Sequence, residues 1–151
     1  MKHSQPKLWR CLKCSRRFAN RNQTHTCARV ERATLALHFN DKPRETRRLF
    51  DAFAAVVKSN GPVIVLPEKT RIAFQVRMSF AMLMPRRGYL RGHLVLARRC
   101  EHPCFSKVET YSPRNHVHQF ELRDESQLKT LAPFIAAAYR VGRQEHLAGD
   151  G

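Results

Sequence analysis

Residues 71–84 read RIAFQVRMSFAMLM. Ile72, Phe74, Val76, Met78, Phe80, Met82 and Met84 occupy every second position, with Arg71, Ala73, Gln75, Arg77, Ser79, Ala81 and Leu83 between them. Side chains of an extended chain point alternately to opposite faces. A period of two therefore predicts a strand with a bulky apolar face toward a core and a smaller, partly basic face away from it. The thirteen residues from Ile72 to Met84 exceed the usual strand of about five or six. That excess predicts a bulge or bend near Arg77–Ser79.

Upstream, Glu68-Lys69-Thr70 reads as a turn, and the short apolar run from Pro62 to Pro67 as a strand. Before it, Asp41 and Pro43 suit a helix start, the one as a cap and the other in the first turn, where its missing N–H costs nothing. Leu49, Phe53, Val56 and Val57 recur at helical spacing, with Phe50 beside them, and Asn60-Gly61-Pro62 is a stop. A helix is predicted over about residues 42–59. Downstream, Pro85 to Gly88 turns the chain. Tyr89–Ala97 is a strand candidate with Leu90, Leu94 and Leu96 on one face, and Phe105–Tyr111 is a weaker one. His116, His118, Phe120 and Leu122 share a face of a further strand. Asp124 and Ser126 offer caps to a last helix ending near Leu147, whose regular part begins or kinks at Pro133. Strands grouped between helices and joined by short turns predict an α+β fold, a mostly antiparallel sheet of four to five strands with two helices packed on it.

The first thirty residues differ in kind. Cys11 and Cys14 form a CxxC pair, and His25 and Cys27 follow after ten intervening residues. Two residues between thiols let a tight turn aim both sulfurs at one ion, and one histidine with one further thiol completes a tetrahedral set for a single structural zinc. Trp9 and Phe18 provide the small apolar cluster of a knuckle whose metal replaces most of a core. The competing readings are unrelated free thiols or a redox pair. His38 is a spare ligand in place of His25 or Cys27. The organisation expected is a zinc knuckle over 1–30 and an α+β domain over 31–151.

Charge is the strongest global signal. Lys and Arg total 28 against 12 Asp and Glu, a net +16. Residues 1–29 carry eight of these cations and no acid. A field of this sign draws polyanions, so Arg10, Lys13, Arg16, Arg17 and Arg21 are the first candidates for phosphate contacts. The alternatives are a solvated surface that serves solubility, a smaller anionic ligand, or a membrane surface. A second cationic group, Lys69, Thr70, Arg71, Arg77 and His118, is the candidate for a phosphate or carboxylate pocket. A buried, hydrogen-bonded core residue is the competing account of His118. Cys100, His102 and Cys104, with His93 or His116, are candidates for a second metal site, or else ordinary loop residues.

There is no GxGxxG, Walker, GxSxG or HExxH motif, so the expectation leans away from catalysis. No run of 18 apolar residues is present, the N-terminus lacks the apolar stretch of a secretory signal, and clustered cysteines suit a reducing compartment. A cytoplasmic location is expected.

The motif of Trp9, Cys11, Cys14, Phe18, His25 and Cys27, followed by His38-Phe39, resembles an uncharacterised bacterial family, "domain of unknown function 5655". The resemblance extends through Leu49-Phe50-Asp51, Gly61-Pro62-Val63, the run Lys69 to Phe74, Phe80-Ala81, Ala138-Tyr139 and Val141-Gly142. It implies no established activity. Some relatives carry a transport label, which nothing in this chain supports. Related domains occur beside nuclease-like domains, which implies nucleic acid as a partner. The function expected is a non-catalytic, zinc-stabilised module binding nucleic acid or another polyanion. Its rivals are a small-ligand protein or enzyme using Lys69, Arg77 and His118, and a protein-interaction module.

Overall fold

A computed structural model describes residues 8–10, 17–18 and 32–145. Two short strands, β1 (Trp9–Arg10) and β2 (Arg17–Phe18), pair antiparallel, with Arg10 opposite Arg17. A six-residue helix α1 (Arg32–Leu37), not anticipated from the sequence, precedes α2 (Arg44–Lys58). Then come β3 (Ile64–Pro67), β4 (Ile72–Gln75), β5 (Ser79–Arg86), β6 (Tyr89–Leu96), β7 (Lys107–Ser112), β8 (Asn115–Leu122) and α3 (Leu128–Gly142). The strands from β3 to β8 form one antiparallel sheet in the order β3-β4-β5-β6-β8-β7. This is the α+β architecture expected, with six strands in place of four to five.

The extra strand comes from the 71–84 stretch. It is not one long strand with a bend but two strands, β4 and β5, folded back on each other around residues 76–78. Folding reverses the phase of the alternation. Ile72 pairs with Leu83 and Phe74 with Ala81, so the core face passes from even to odd positions, while Met82 pairs with Ala73 on the opposite face. Met82 and Met84 are half-buried; Ala81 and Leu83 are buried. The irregularity anticipated near Arg77–Ser79 exists as a register shift. Phe74 faces Ala81 and Gln75 faces Ser79, which leaves Phe80 as the extra residue of a bulge. Phe80 is fully buried, with its ring edge-on to Tyr139 of α3 at 5.5 Å.

One row of the core face crosses all six strands: Val65, Phe74, Ala81, Leu94, His118 and Val108. α2 packs on it through Leu49, Phe50, Phe53, Ala54 and Val57, spaced at three and four residues. Phe53 lies between Phe74 (5.6 Å) and Phe120 (5.8 Å). Gly92 leaves room for Phe120, because a Cβ there would collide with that ring. Thr46, fully buried in the first turn of α2, donates to the Arg86 carbonyl and accepts from the Gly88 N–H, both at 2.8 Å, and so ties the helix to the β5–β6 hairpin.

α3 is entered through a 3-10 turn, Glu125–Gln127, capped reciprocally by Asp124 and Gln127. The helix runs through Pro133 and ends at Gly142, five residues before the end anticipated, because Gln144 takes a left-handed conformation at φ 60°. The Gly142 carbonyl accepts from the N–H groups of Arg77 (2.9 Å) and Met78 (3.0 Å), which joins the helix end to the β4–β5 turn. Gly61, at φ 140°, lies under the Tyr139 hydroxyl, which donates to the Pro62 carbonyl at 2.8 Å.

Candidate nucleic-acid interface

The face of the sheet turned away from α2 and α3 follows from the register. One row across it reads Leu66, Ala73, Met82, His93, Gln119 and Lys107, one residue from each strand. A second row holds Met84, Arg91 and Glu121, and a third sets Arg86 opposite Tyr89. Arg71, the residue before Ile72, shares this face by alternation. The centre is apolar or uncharged and the end near the β5–β6 hairpin is cationic.

Gln75 also belongs to this face and is only 2% exposed. Its amide Nε2 donates to the Arg17 carbonyl at 2.6 Å, so the β1–β2 hairpin is held on the helix-free side of the sheet. Arg10 and Arg17, paired in that hairpin, are exposed. Two groups of cations far apart in sequence, Arg10 and Arg17 on one hand and Arg71, Arg86 and Arg91 on the other, therefore lie on one side of the molecule. Sequence reasoning passed over Arg86 and Arg91, and named His93 only as a candidate metal ligand. Their alternation with Tyr89 was the available signal, but only the register puts them beside Arg71.

His93 sits at the middle of this surface. Burial pushes its imidazole toward the neutral form, and the Arg91 and Arg71 guanidiniums add to that, against a Gln119 hydrogen bond and Glu109, which pull the other way. Acidic residues offset part of the charge of this surface, each next to a cation near it in sequence, and Glu121 is also the register partner of Arg91. Asp51 lies beside Arg47, Glu68 beside Arg71, Glu101 beside Arg99, Glu109 beside Lys107 and Glu121 beside Arg123, each within 4 Å and a few residues away in sequence.

The five residues of the candidate pocket do not converge. Lys69, Thr70 and Arg71 are exposed at the β3–β4 turn. Arg77 lies at the other end of β4 and donates through Nε to the Gln144 side chain at 2.9 Å, beside the C-terminus of α3, a favourable place for a cation. His118 is on β8, three strands from β4, with no exposed surface. Its Nε2 accepts the Cys100 N–H at 2.9 Å and its Nδ1 donates to the His116 carbonyl at 2.8 Å, so one neutral tautomer fills both bonds. It is a hydrogen-bonded core histidine. Burial lowers its pKa.

Cys11, Cys14, His25 and Cys27 lie outside the described residues, as do Lys13, Arg16 and Arg21. Arg10 and Arg17, the described residues nearest the CxxC in sequence, are register partners. The boundary expected at residues 30 and 31 also falls outside the described residues. His38 donates through Nε2 to the Glu68 carbonyl at 2.6 Å. Among the described residues no group of three His, Cys, Asp or Glu side chains is arranged to hold a metal. His102 instead accepts the Cys104 N–H at 3.0 Å, and burial raises the pKa of the Cys104 thiol. A cleft of about 410 Å³ opens between α3 and the end of β6, with Leu96, Cys100, Phe134, Ala137 and Val141 in its lining beside Arg98 and Arg140. No helix among the described residues is long and apolar enough to cross a membrane.

Six antiparallel strands with helices on one face define a small two-layer α+β domain. The chain belongs to the family described as "Domain of unknown function (DUF5655)", whose model matches residues 36–142, from the end of α1 to the end of α3. The CxxC and HxC residues lie outside that match. No curated protein and no solved structure matches the sequence.

Proposed function

We propose that the protein is a non-catalytic nucleic-acid-binding module whose N-terminal segment is built around one structural zinc held by Cys11, Cys14, His25 and Cys27. The observation that carries this reading is the Gln75–Arg17 hydrogen bond. It holds Arg17, with Arg10 as its register partner, on the same side of the sheet as Arg71 and Arg91, which supports a cationic side. The spacing of Cys11 and Cys14 suits a turn that presents two thiolates to one ion. Contacts from Arg10, Lys13, Arg16, Arg17 and Arg21 would position a phosphate backbone without reading bases. With about four such contacts, log K falls against log salt with a slope of roughly −3 to −4 on a duplex. A salt titration of binding to a labelled oligonucleotide tests this. Replacing Arg16 and Arg17 by Ala flattens the slope by about 1 to 2. Absence of binding at about 50 mM salt, or equal binding by that variant, removes the reading.

The α3 cleft favours a second reading. Its volume of about 410 Å³ suits a small ligand, and Arg98 and Arg140, against the one carboxylate of Glu145, suit an anionic one. Titration with phosphate and small carboxylates, followed by the amide shifts of residues 96–100, tests it.

A further inference from the structure

The shape of the cationic side narrows the partner, an inference that rests on the nucleic-acid reading. A B-form major groove about 12 Å wide admits a helix or a two-stranded ribbon. The sheet here is six strands wide, about 24 Å at the usual strand spacing of about 4.8 Å, and cannot enter it. What the face offers is a strip. Arg71 and Gln75 lie four residues apart along one strand direction, about 13 Å. The strip is bounded at one end by Arg71, Arg91 and Arg86, and at the other by the hairpin that carries Arg10 and Arg17.

The floor between these ends is uncharged: Leu66 and Ala73, on β3 and β4, are buried, and the part that is open to a ligand lies on β5, β6 and β8. Met82 and His93 are register partners and half-buried, Gln119 is the next residue along the row, and Met84 stands beside Arg91. Thioether and imidazole groups present flat or deformable apolar surface to a base, and the Gln119 amide presents a donor and an acceptor. At the cationic end the Arg123 guanidinium lies 4.0 Å from the Tyr89 ring centroid, on the same side as Arg86. Cations at the borders and apolar, hydrogen-bonding groups between them are the two components of single-strand binding, an electrostatic track and a platform for unstacked bases. A duplex keeps its bases stacked inside and leaves such a floor unused.

We infer that the helix-free sheet face binds single-stranded nucleic acid, with phosphates along Arg71, Arg86 and Arg91 and bases on Met82, Met84 and His93.

The test is fluorescence anisotropy of the full chain at about 50 mM salt. The probes are a labelled 12-nucleotide oligothymidine, a 12-base-pair duplex and inorganic polyphosphate. The single strand binds at least about tenfold tighter than the other two. Arg71→Ala with Arg91→Ala weakens single-strand binding about tenfold and lowers the salt slope by about 1 to 1.5, with circular dichroism and zinc content unchanged. Arg86→Ala, at a hairpin tip, gives a smaller loss in the same direction. A duplex that binds as tightly as the single strand overturns the inference, as does polyphosphate that does so. Full binding by the Arg71/Arg91 variant, with loss only on changing Arg16 and Arg17, overturns the sheet-face inference and leaves the nucleic-acid reading standing. No binding of any probe overturns both.

Discussion

The side-chain amide of Gln75 donates to the backbone carbonyl of Arg17 at 2.6 Å, across 58 residues of sequence. A buried amide that meets a backbone carbonyl is worth about 1 kcal/mol net, and removing one partner costs about 1–3 kcal/mol. Gln75→Ala is therefore expected to loosen the hairpin without unfolding the sheet. Hydrogen exchange of residues 8–18 should accelerate roughly tenfold, about 1.4 kcal/mol, with little change in residues 80–96. Unchanged exchange at residues 8–18 would show that the bond does not hold the hairpin.

Gly92 and Phe120 are register partners, and a Cβ at 92 would meet the Phe120 ring. Gly92→Ala should destabilise by about 1–3 kcal/mol through overpacking. Adding Phe120→Leu to the alanine variant should recover part of that loss, although Phe120→Leu alone destabilises. Urea midpoints of the two single variants and the double variant give the coupling directly, and strict additivity would contradict the geometry.

His118 ties stability to pH. Its folded pKa lies below the ordinary 6.5 because burial disfavours the charged ring, with the Arg99 cation and His116 acting the same way and backbone hydrogen bonds opposing. Above about pH 6.5 both folded and unfolded forms are neutral and the full stability is present. As pH falls below that, the unfolded chain takes up the proton first, and stability is lost until the lower folded pKa is passed. The urea midpoint should fall between pH 7.5 and pH 5. His118→Gln should lower it at pH 7.5 and shrink the difference between the two pH values. His93 shifts in the same direction and leaves a residual slope in that variant.

The zinc reading makes a separable prediction. Elemental analysis of purified protein should find one equivalent, and Cys14→Ser should release it. The cooperative unfolding of residues 36–142 should survive, because their core is built from α2, α3 and the sheet. Folded protein with less than about half an equivalent would rule the site out.

The sequence carried the elements further than it carried their relations. Helix α2, the strands of Tyr89–Leu96 and His116–Leu122 and the shared face of His116, His118, Phe120 and Leu122 were all legible, because one periodicity governs each. The 71–84 stretch misled for a physical reason. Alternation reports the face of each residue only while the chain keeps going straight. A turn at 76–78 with one bulged residue, Phe80, swaps the faces while the apolar pattern continues. The end of α3 was misplaced because Gln144, a residue with no special turn preference, adopts the left-handed conformation just past Gly142. His118 drew attention as a cation near others. Its partners, the Cys100 amide and the His116 carbonyl, are backbone groups that no side-chain pattern announces. The grouping of Arg71 with Arg86 and Arg91 depended on strand register, which a single sequence does not display.

The Gly142 carbonyl, which accepts the amides of Arg77 and Met78, bears on the order of assembly during synthesis. The chain leaves the ribosome from its N-terminus. The two strands flanking residues 76–78 emerge early, but the native partner of their turn follows ~65 residues later. At about 5–20 residues per second the delay is about 3 to 13 s. Through that interval the turn's two amides stay with water, and the second hairpin of the sheet waits for the last helix to close it.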